Sequence, residues 1–184
     1  MCTVLECYQK WNYFLKIIIW DVDKDLTRLF IHIFFGYNMI IRSFRLDDLD
    51  EVLCIEYDNF NDPYPSGVLV HFHETGVGFL VAEIANRVVG FIIFWIVDNK
   101  GHIIMIAVNN NYKNMGIGSL LLNKVKQILF SNNIITLTLE VRKSNLAARK
   151  FYLKNGFYEV VEKEHYYSDG EDGIIMQFDK KDDE

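Results

Sequence analysis

Two rhythms of apolar and polar positions run through the chain from Met39 onward. Residues 39–45 read as a first strand. Asp47 or Asp48 can then cap a helix that carries Leu49, Val52, Leu53 and Glu56 at helical spacing. Asn59-Phe60-Asn61-Asp62-Pro63-Tyr64-Pro65 is a loop, and Ser66 can cap a short second helix to about Thr75. Residues 79–85 and 88–98 read as a hairpin turning at Asn86-Arg87. The second arm is almost continuously apolar, so it is expected to be a central strand buried on both faces. Asn99-Lys100-Gly101 supplies the next turn, and residues 102–108 the next buried strand.

Ile117, Leu120, Leu121, Val125, Ile128 and Leu129 recur at helical spacing, and Asn132-Asn133 ends that helix. Residues 134–141 alternate as a strand. Ser144 opens a helix through Leu153, with Gly156 placed as its left-handed C-cap. Residues 157–164 and 173–178 finish as two strands across a long turn. The resulting order, β-α-α-β-β-β-α-β-α-β-β, predicts one mixed α/β sheet with helices on both sides.

Residues 1–38 break this regularity. Their apolar runs follow no clean period and are too short to span a membrane. Glu6 and the lack of a small-residue cleavage site argue against a signal peptide. The segment reads as an apolar extension, as sequence upstream of an alternative initiator at Met39, or as an amphipathic segment that docks a partner. Residues 39–179 then form the domain and 180–184 a charged tail.

Composition narrows the function classes. The chain has 184 residues, 51% of them hydrophobic, and a formal net charge of -6. That size and hydrophobicity suit one globular domain. An acidic chain is poorly suited to binding a nucleic-acid backbone. Cys2, Cys7 and Cys54 make no CxxC pair or disulfide framework, which fits a reducing, cytoplasmic setting. No His/Cys cluster suggests a metal, and none is expected.

Candidate chemistry begins with Tyr112-Lys113-Asn114-Met115-Gly116-Ile117-Gly118-Ser119, between a buried strand and an amphipathic helix. Glycines there let a ligand approach the backbone, and a helix N-terminus offers unpaired N–H donors to a pyrophosphate. A plain strand-to-helix turn would look the same. The loop is not a P-loop, because no Lys-Ser/Thr follows the second glycine. It is also an incomplete dinucleotide fingerprint. Two further stretches stand out: Leu139-Glu140-Val141-Arg142-Lys143-Ser144-Asn145, continuing to Tyr152 and Gly156-Phe157, and His165-Tyr166-Tyr167-Ser168-Asp169-Gly170-Glu171-Asp172-Gly173. Read alone, Glu140 lies in a polar strand row with Thr136 and Thr138, His102 is a strand-end histidine, and Tyr152 is a core aromatic.

Together, in this order, the three motifs resemble the GNAT superfamily and within it the N-terminal acetyltransferases, including archaeal enzymes and ribosomal-protein alanine acetyltransferases. The resemblance runs over residues 39–178. It implies the GNAT fold, a mixed central sheet splayed between its fourth and fifth strands, and acetyl-CoA as co-substrate. Ile106, Ala107 and Val108 would meet the pantetheine arm, Lys113, Asn114, Met115, Gly116, Ile117, Gly118 and Ser119 the pyrophosphate, and Asn145 the pantetheine. Tyr152 would serve beside the sulfur as general acid, Glu140 as general base, and His102 as a second basic group. Phe60, Asp62, Pro63, Tyr64, Tyr166 and Tyr167 would grip the acceptor. Lys113 and Asn114 depart from the Arg/Gln and Arg usual there, and Gly173 from the usual Ala.

The implied acceptor is the α-amine of a protein or peptide N-terminus, with the ribosome or an auxiliary subunit as candidate partners. A lysine side chain, a small-molecule amine and a non-catalytic acyl-CoA-binding module remain the alternatives.

Overall fold

The computed structural model describes residues 39–180. The expectations for residues 1–38 and 181–184 lie outside the described residues.

Seven strands form one sheet: β1 (Ile40–Ser43), β2 (Gly78–Ile84), β3 (Arg87–Val97), β4 (Lys100–Val108), β5 (Thr136–Arg142), β6 (Tyr158–Lys163) and β7 (Gly173–Asp179), in the order β1-β2-β3-β4-β5-β7-β6. Four α-helices accompany them among the described residues: α1 (Leu49–Asn59), α2 (Ser66–Glu74), α3 (Ile117–Ser131) and α4 (Leu146–Lys154). The order of elements is the one the sequence pattern predicts. Among the described residues only β4 and β5 run parallel, and α3 makes the crossover such a pair requires. This is the GNAT fold.

Alternation sorts the side chains onto two faces. Phe79 and Val81 of β2, Phe91 and Ile93 of β3 and Met105 and Ala107 of β4 pack with Val52 and Ile55 of α1 and Leu69 of α2. The opposite face carries α3: a Cβ on Gly101 would strike Leu129 and Leu137, and one on Gly90 would crowd Ile117. Lys126 of α3 points inward and donates to the carbonyl of Asn155, the residue that ends α4, at 2.7 Å. Its ammonium also lies 3.5 Å from the Phe178 ring centroid. A cation at a helix C-terminus and over an aromatic face is doubly favoured, and here it ties α3 to α4.

Several local expectations shift. The hairpin turns fall on Ala85-Asn86 and Asp98-Asn99, all four at positive φ, one residue earlier than predicted. A pair of left-handed residues matches the strand twist, and Asn and Asp tolerate that region best. Ser66 is the first residue of α2, with Pro65 at the N-cap position. Asn145, not Ser144, caps α4, its Oδ1 accepting the Ala148 N–H at 3.0 Å. Asp48 occupies the N-cap position of α1, but its carboxylate accepts from both Arg42 Nη atoms at 2.7 Å and from the Arg45 N–H. The Arg42 guanidinium holds the Asp48 carboxyl below its ordinary range. Finally, β3 is buried from Val88 only to Phe94. Gly78 of β2 pairs with Phe94, so Trp95, Ile96 and Val97 run past the end of β2 and are exposed. Gly156 takes φ +84° after α4, as its predicted C-cap role requires.

Lys126→Met keeps the apolar stem but leaves the Asn155 carbonyl without this donor. Urea unfolding should show a loss of about 2 kcal/mol; a change within about 0.5 kcal/mol would mean that the link between α3 and α4 carries no stability.

Candidate active site

The sheet opens where its only parallel pair ends. β4 and β5 are in register over three pairs alone, Gly101↔Leu137, His102↔Thr138 and Ile103↔Leu139. Beyond Ile103, β4 stays with β3 and β5 stays with β7. A bulge sits at that point: Ile93 pairs with Met105 and Phe94 with Ile103, leaving Ile104 as the extra residue. A bulge bends its strand and raises the local twist. It also turns Met105 and Ala107 onto the α1 face that His102 already occupies. The edge of β4 that carries Ile106, Ala107 and Val108 therefore faces a wedge rather than a strand.

His102 and Glu140 meet at the apex of this wedge. His102 Nε2 lies 3.1 Å from Glu140 Oε2, and His102 Nδ1 lies 3.1 Å from Thr138 Oγ1. Thr138 and Glu140 are two apart on β5, so both point to the face of the His102 ring. The Trp95 ring, opposite His102 in the β3–β4 register, covers the imidazole at a centroid distance of 5.7 Å. Both His102 and Glu140 keep about a fifth of their side-chain surface exposed, so the pair is reachable.

The loop from Lys113 to Ser119 leads into the N-terminus of α3. Gly116 is the N-cap residue at φ +77°, a conformation that side chains other than Gly rarely adopt. Asn114 also lies at positive φ, 64°. The helix ladder begins with Leu120 N–H to Gly116 O, which leaves the N–H groups of Ile117, Gly118 and Ser119 at the helix mouth. Gly118 has a second reason to lack a side chain: a Cβ would come 3.1 Å from the Phe151 ring of α4. The same glycine thus lets α3 and α4 approach each other.

On α4, Tyr152 is buried between Phe151 and Phe157. Among the described residues its hydroxyl has no hydrogen-bond partner. Burial pushes its phenol well above the ordinary range, with Tyr167 adding to the effect. Asn145 spends Oδ1 on the α4 cap and leaves its amide Nδ2 for another partner. These features fit a ligand carrying phosphates at one end and an uncharged polar arm.

Two aromatic walls stand on the α1 face. One is the loop with Phe60, Asp62, Pro63 and Tyr64, the Tyr64 ring set edge-on against Phe72 at 6.0 Å. The other is the β6–β7 turn, where Tyr166 and Tyr167 meet edge-to-face at 5.1 Å. Burial raises the Tyr166 phenol, and Glu140 and Tyr64 both add to the rise, so all three converge. Burial pushes Tyr167 up to about 12, against the pull of Arg142.

Three contributors were not singled out by the sequence. Arg142 stacks on the Tyr167 ring at 4.1 Å and bonds Asp169 at 2.7 Å and Glu171 at 2.8 Å. Glu171 returns to the α4 entry by accepting the Ser144 N–H at 2.9 Å. The acidic Asp-x-Glu-Asp run two residues after Tyr167 was the available signal. Trp95 was read only as part of an apolar strand. The third is Glu56, fully buried on α1. Its Oε1 accepts the Tyr64 N–H at 2.8 Å, while Oε2 has no hydrogen-bond partner among the described residues. Burial pushes this carboxyl up. An unsatisfied buried oxygen costs about 1–3 kcal/mol, so the group is not there for packing. A charged residue on the apolar stripe of a helix was its visible mark.

The model of the Acetyltransferase (GNAT) family matches residues 41–157. The chain belongs to the GNAT acetyltransferase family. This acetyltransferase is 41% identical over 140 residues to an uncharacterized N-acetyltransferase of Methanocaldococcus jannaschii, covering 75% of this chain and 90% of the relative. It is 39% identical over 155 residues to the N-alpha-acetyltransferase of Sulfurisphaera tokodaii, covering 77% and 93%. Among solved structures it is similar to the ribosomal-protein-S18-alanine N-acetyltransferase of Escherichia coli, with TM-score 0.71 and 28% identity over 79% of this chain and 96% of that one. Among the described residues no helix is long and apolar enough to cross a membrane.

The β6–β7 turn of this acetyltransferase is held by carboxylates, so acid should release it. Bonds from Ser144 and Arg142 lower Glu171 from 4.5 to about 2, and Asp169 and Asp172 are lowered as well. A depressed folded pKa contributes stability above the unfolded value and loses it as pH falls through the folded one. The exchange protection factors of residues 165–172, taken relative to the intrinsic rate at each pH, should hold steady from about pH 8 to 5 and fall between about pH 4.5 and 2. Glu171→Gln should flatten part of that fall; a wild-type profile without it would mean the carboxylates do not hold the turn.

Proposed function

We propose that this acetyltransferase moves the acetyl group of acetyl-CoA to the α-amine at protein N-termini. The observation that carries the reading is the His102–Glu140 pair at the opening of the sheet, walled by Tyr64 on one side and Tyr166 and Tyr167 on the other. Family membership and the similarity to N-alpha- and alanine N-acetyltransferases support it.

The acceptor chemistry asks little of the base. A thioester carbonyl needs a neutral amine. At pH 7 deprotonation costs about 1 kcal/mol for an α-amine and about 5 kcal/mol for a lysine side chain. A carboxylate–imidazole pair within reach of solvent suits the smaller task. Glu140 takes the ammonium proton directly or through a water, with His102 assisting, and passes it to solvent. The neutral amine nitrogen then bonds the acetyl carbon as the carbon–sulfur bond breaks, and the second proton that nitrogen sheds goes to the same carboxylate. Tyr152, which burial keeps protonated, donates a hydrogen bond to the leaving sulfur, and the sulfur takes its proton from solvent.

The donor side is the α3–α4 face. The N–H groups of Ile117, Gly118 and Ser119, with Lys113, receive the pyrophosphate, and backbone charge and dipole compensate for the missing arginine. Met115 and Asn114 shape the approach. Ile106, Ala107 and Val108 offer the free edge of β4 to the pantetheine, and Asn145 Nδ2 donates to it from the other side. Phe60, Asp62 and Pro63 line the acceptor entrance beside Tyr64. A ribosome-borne nascent chain or a partner-held substrate would present its N-terminus here.

The test is acetylation of a peptide panel by the full chain, with the product located by mass spectrometry. The first residue varies (Met, Ser, Ala, Glu), and one peptide has a blocked N-terminus and an internal lysine. Acetyl on the α-amine is expected; acetyl on the lysine alone overturns the reading. Glu140→Gln should lower kcat/KM about 100-fold or more, and Tyr152→Phe should lower kcat while leaving acetyl-CoA binding intact by calorimetry. Unchanged turnover in both would remove these residues from the mechanism.

A further inference from the structure

Glu56 takes no part in that chemistry, yet it is a fully buried carboxyl on a helix face shared with Val52 and Ile55. Its bond partner explains its place. Tyr64 lies between Pro63 and Pro65, neither of which has an N–H. From Asn61 to Pro65 the loop is bonded at its far end to α2, where the Pro65 carbonyl accepts the Val68 N–H at 2.8 Å, and the Tyr64 N–H makes the one hydrogen bond that ties it back to α1 among the described residues, with Glu56 Oε1 receiving it. The same last turn of α1 reaches the donor side: Asn59 Nδ2 lies 3.3 Å from the carbonyl of Val108, at the end of β4.

We propose that Glu56 is a positioning residue for the acceptor: by anchoring the Tyr64 N–H it fixes the wall against which the substrate N-terminus is aligned with Glu140. The inference rests on the function proposed above and adds a residue to it. With the Glu56 bond gone the loop is held from the α2 side alone, by the Val68 N–H on the Pro65 carbonyl and the Tyr64 ring on Phe72, and it shifts with α2, which moves the Tyr64 ring away from Tyr166. The donor site keeps its own supports, the N-terminus of α3 and the α4 cap. Glu56 therefore governs acceptor binding and leaves acetyl-CoA binding alone. What the loop needs from position 56 is an acceptor oxygen and not a charge, in keeping with the burial that raises this carboxyl.

Steady-state kinetics of the full chain with one accepted peptide, combined with amide exchange by NMR, tests this. Glu56→Ala should raise the peptide KM about tenfold, the worth of one lost hydrogen bond, with the acetyl-CoA KM within about twofold. Glu56→Gln, which keeps the acceptor oxygen, should restore the peptide KM. Glu56→Leu fills the space without an acceptor and should behave as alanine does.

Equal changes in both KM values, or a glutamine variant as impaired as alanine, would overturn the proposal. The wild type gives a check that no folding defect can obscure: its Tyr64 amide should exchange more slowly than those of Asn61 and Asp62. Exchange as fast as theirs overturns the tether. An inactive wild type with a protected Tyr64 amide would count against the proposed function, whereas an active wild type whose Glu56→Ala variant keeps its peptide KM would count against Glu56.

Discussion

The separation of β4 from β5 after three paired residues is the constraint on which the rest of this molecule depends. A parallel pair held only at Gly101, His102 and Ile103 leaves backbone groups of both strands unpaired beyond it. Such groups must find other partners or face solvent. The bulge at Ile104 makes the separation abrupt, and it reverses which residues of β4 point to α1. The result is a gap through the sheet itself. Glu140 and His102 stand on one side of that gap, and Tyr152 with the N-terminus of α3 on the other. In the proposed reaction the amine and the thioester arrive from opposite faces and meet in it.

An opening in a sheet has to be braced, and the braces are polar. Arg142 lies at the last pair of β5 with β7, where it gathers Asp169, Glu171 and the Tyr167 ring. Lys143 adds Asp172 at 3.1 Å and also bonds Glu162 on β6. On the other flank, the last turn of α1 carries Glu56 and Asn59, one bonded to the Tyr64 loop and one to the end of β4. Exposed ion pairs contribute little singly. Their worth here is geometric, since each joins a loop without regular structure to a strand or helix that has it.

Much of this was legible in the chain. The order of elements followed from apolar spacing because most of the helices and central strands bury a regular set of positions, as in Ile117, Leu121, Val125 and Leu129, whereas β6 is exposed along its length. The three motifs in order pointed to the family because glycine and polar spacings at a ligand loop are narrowly constrained. The misplaced features are those set by long-range partners. Asp48 reads as a cap until Arg42, six residues away, claims its carboxylate. The exposure of Trp95 depends on where β2 happens to start, at Gly78. Glu56 sits at helical spacing with apolar residues and looks like any polar position on α1. Only the placement of Tyr64 between two prolines gives it a task.

The hydrogen bonds around His102 impose a proton count of their own. The Thr138 hydroxyl has one proton and two neighbours, the Gly101 carbonyl at 3.3 Å and His102 Nδ1 at 3.1 Å. When it donates to Gly101, Nδ1 must carry a proton to bond Thr138, and Nε2 must carry another to bond the Glu140 carboxylate. The imidazole is then a cation beside an anion. When the hydroxyl turns to Nδ1, the ring is neutral with its proton on Nε2. The two states differ by one proton on Nδ1 and by the direction in which the Thr138 hydroxyl points, with no ring or strand moved. When the Thr138 hydroxyl turns from Nδ1, the Gly101 carbonyl of β4 accepts its hydrogen bond. In the proposed reaction Nε2 already bears a proton, so the ammonium proton goes to the Glu140 carboxylate while the imidazole keeps its bond to that group. Glu140 and His102 thus act together in that reaction, the carboxylate receiving the proton and the imidazole, set by Thr138, holding that carboxylate in place.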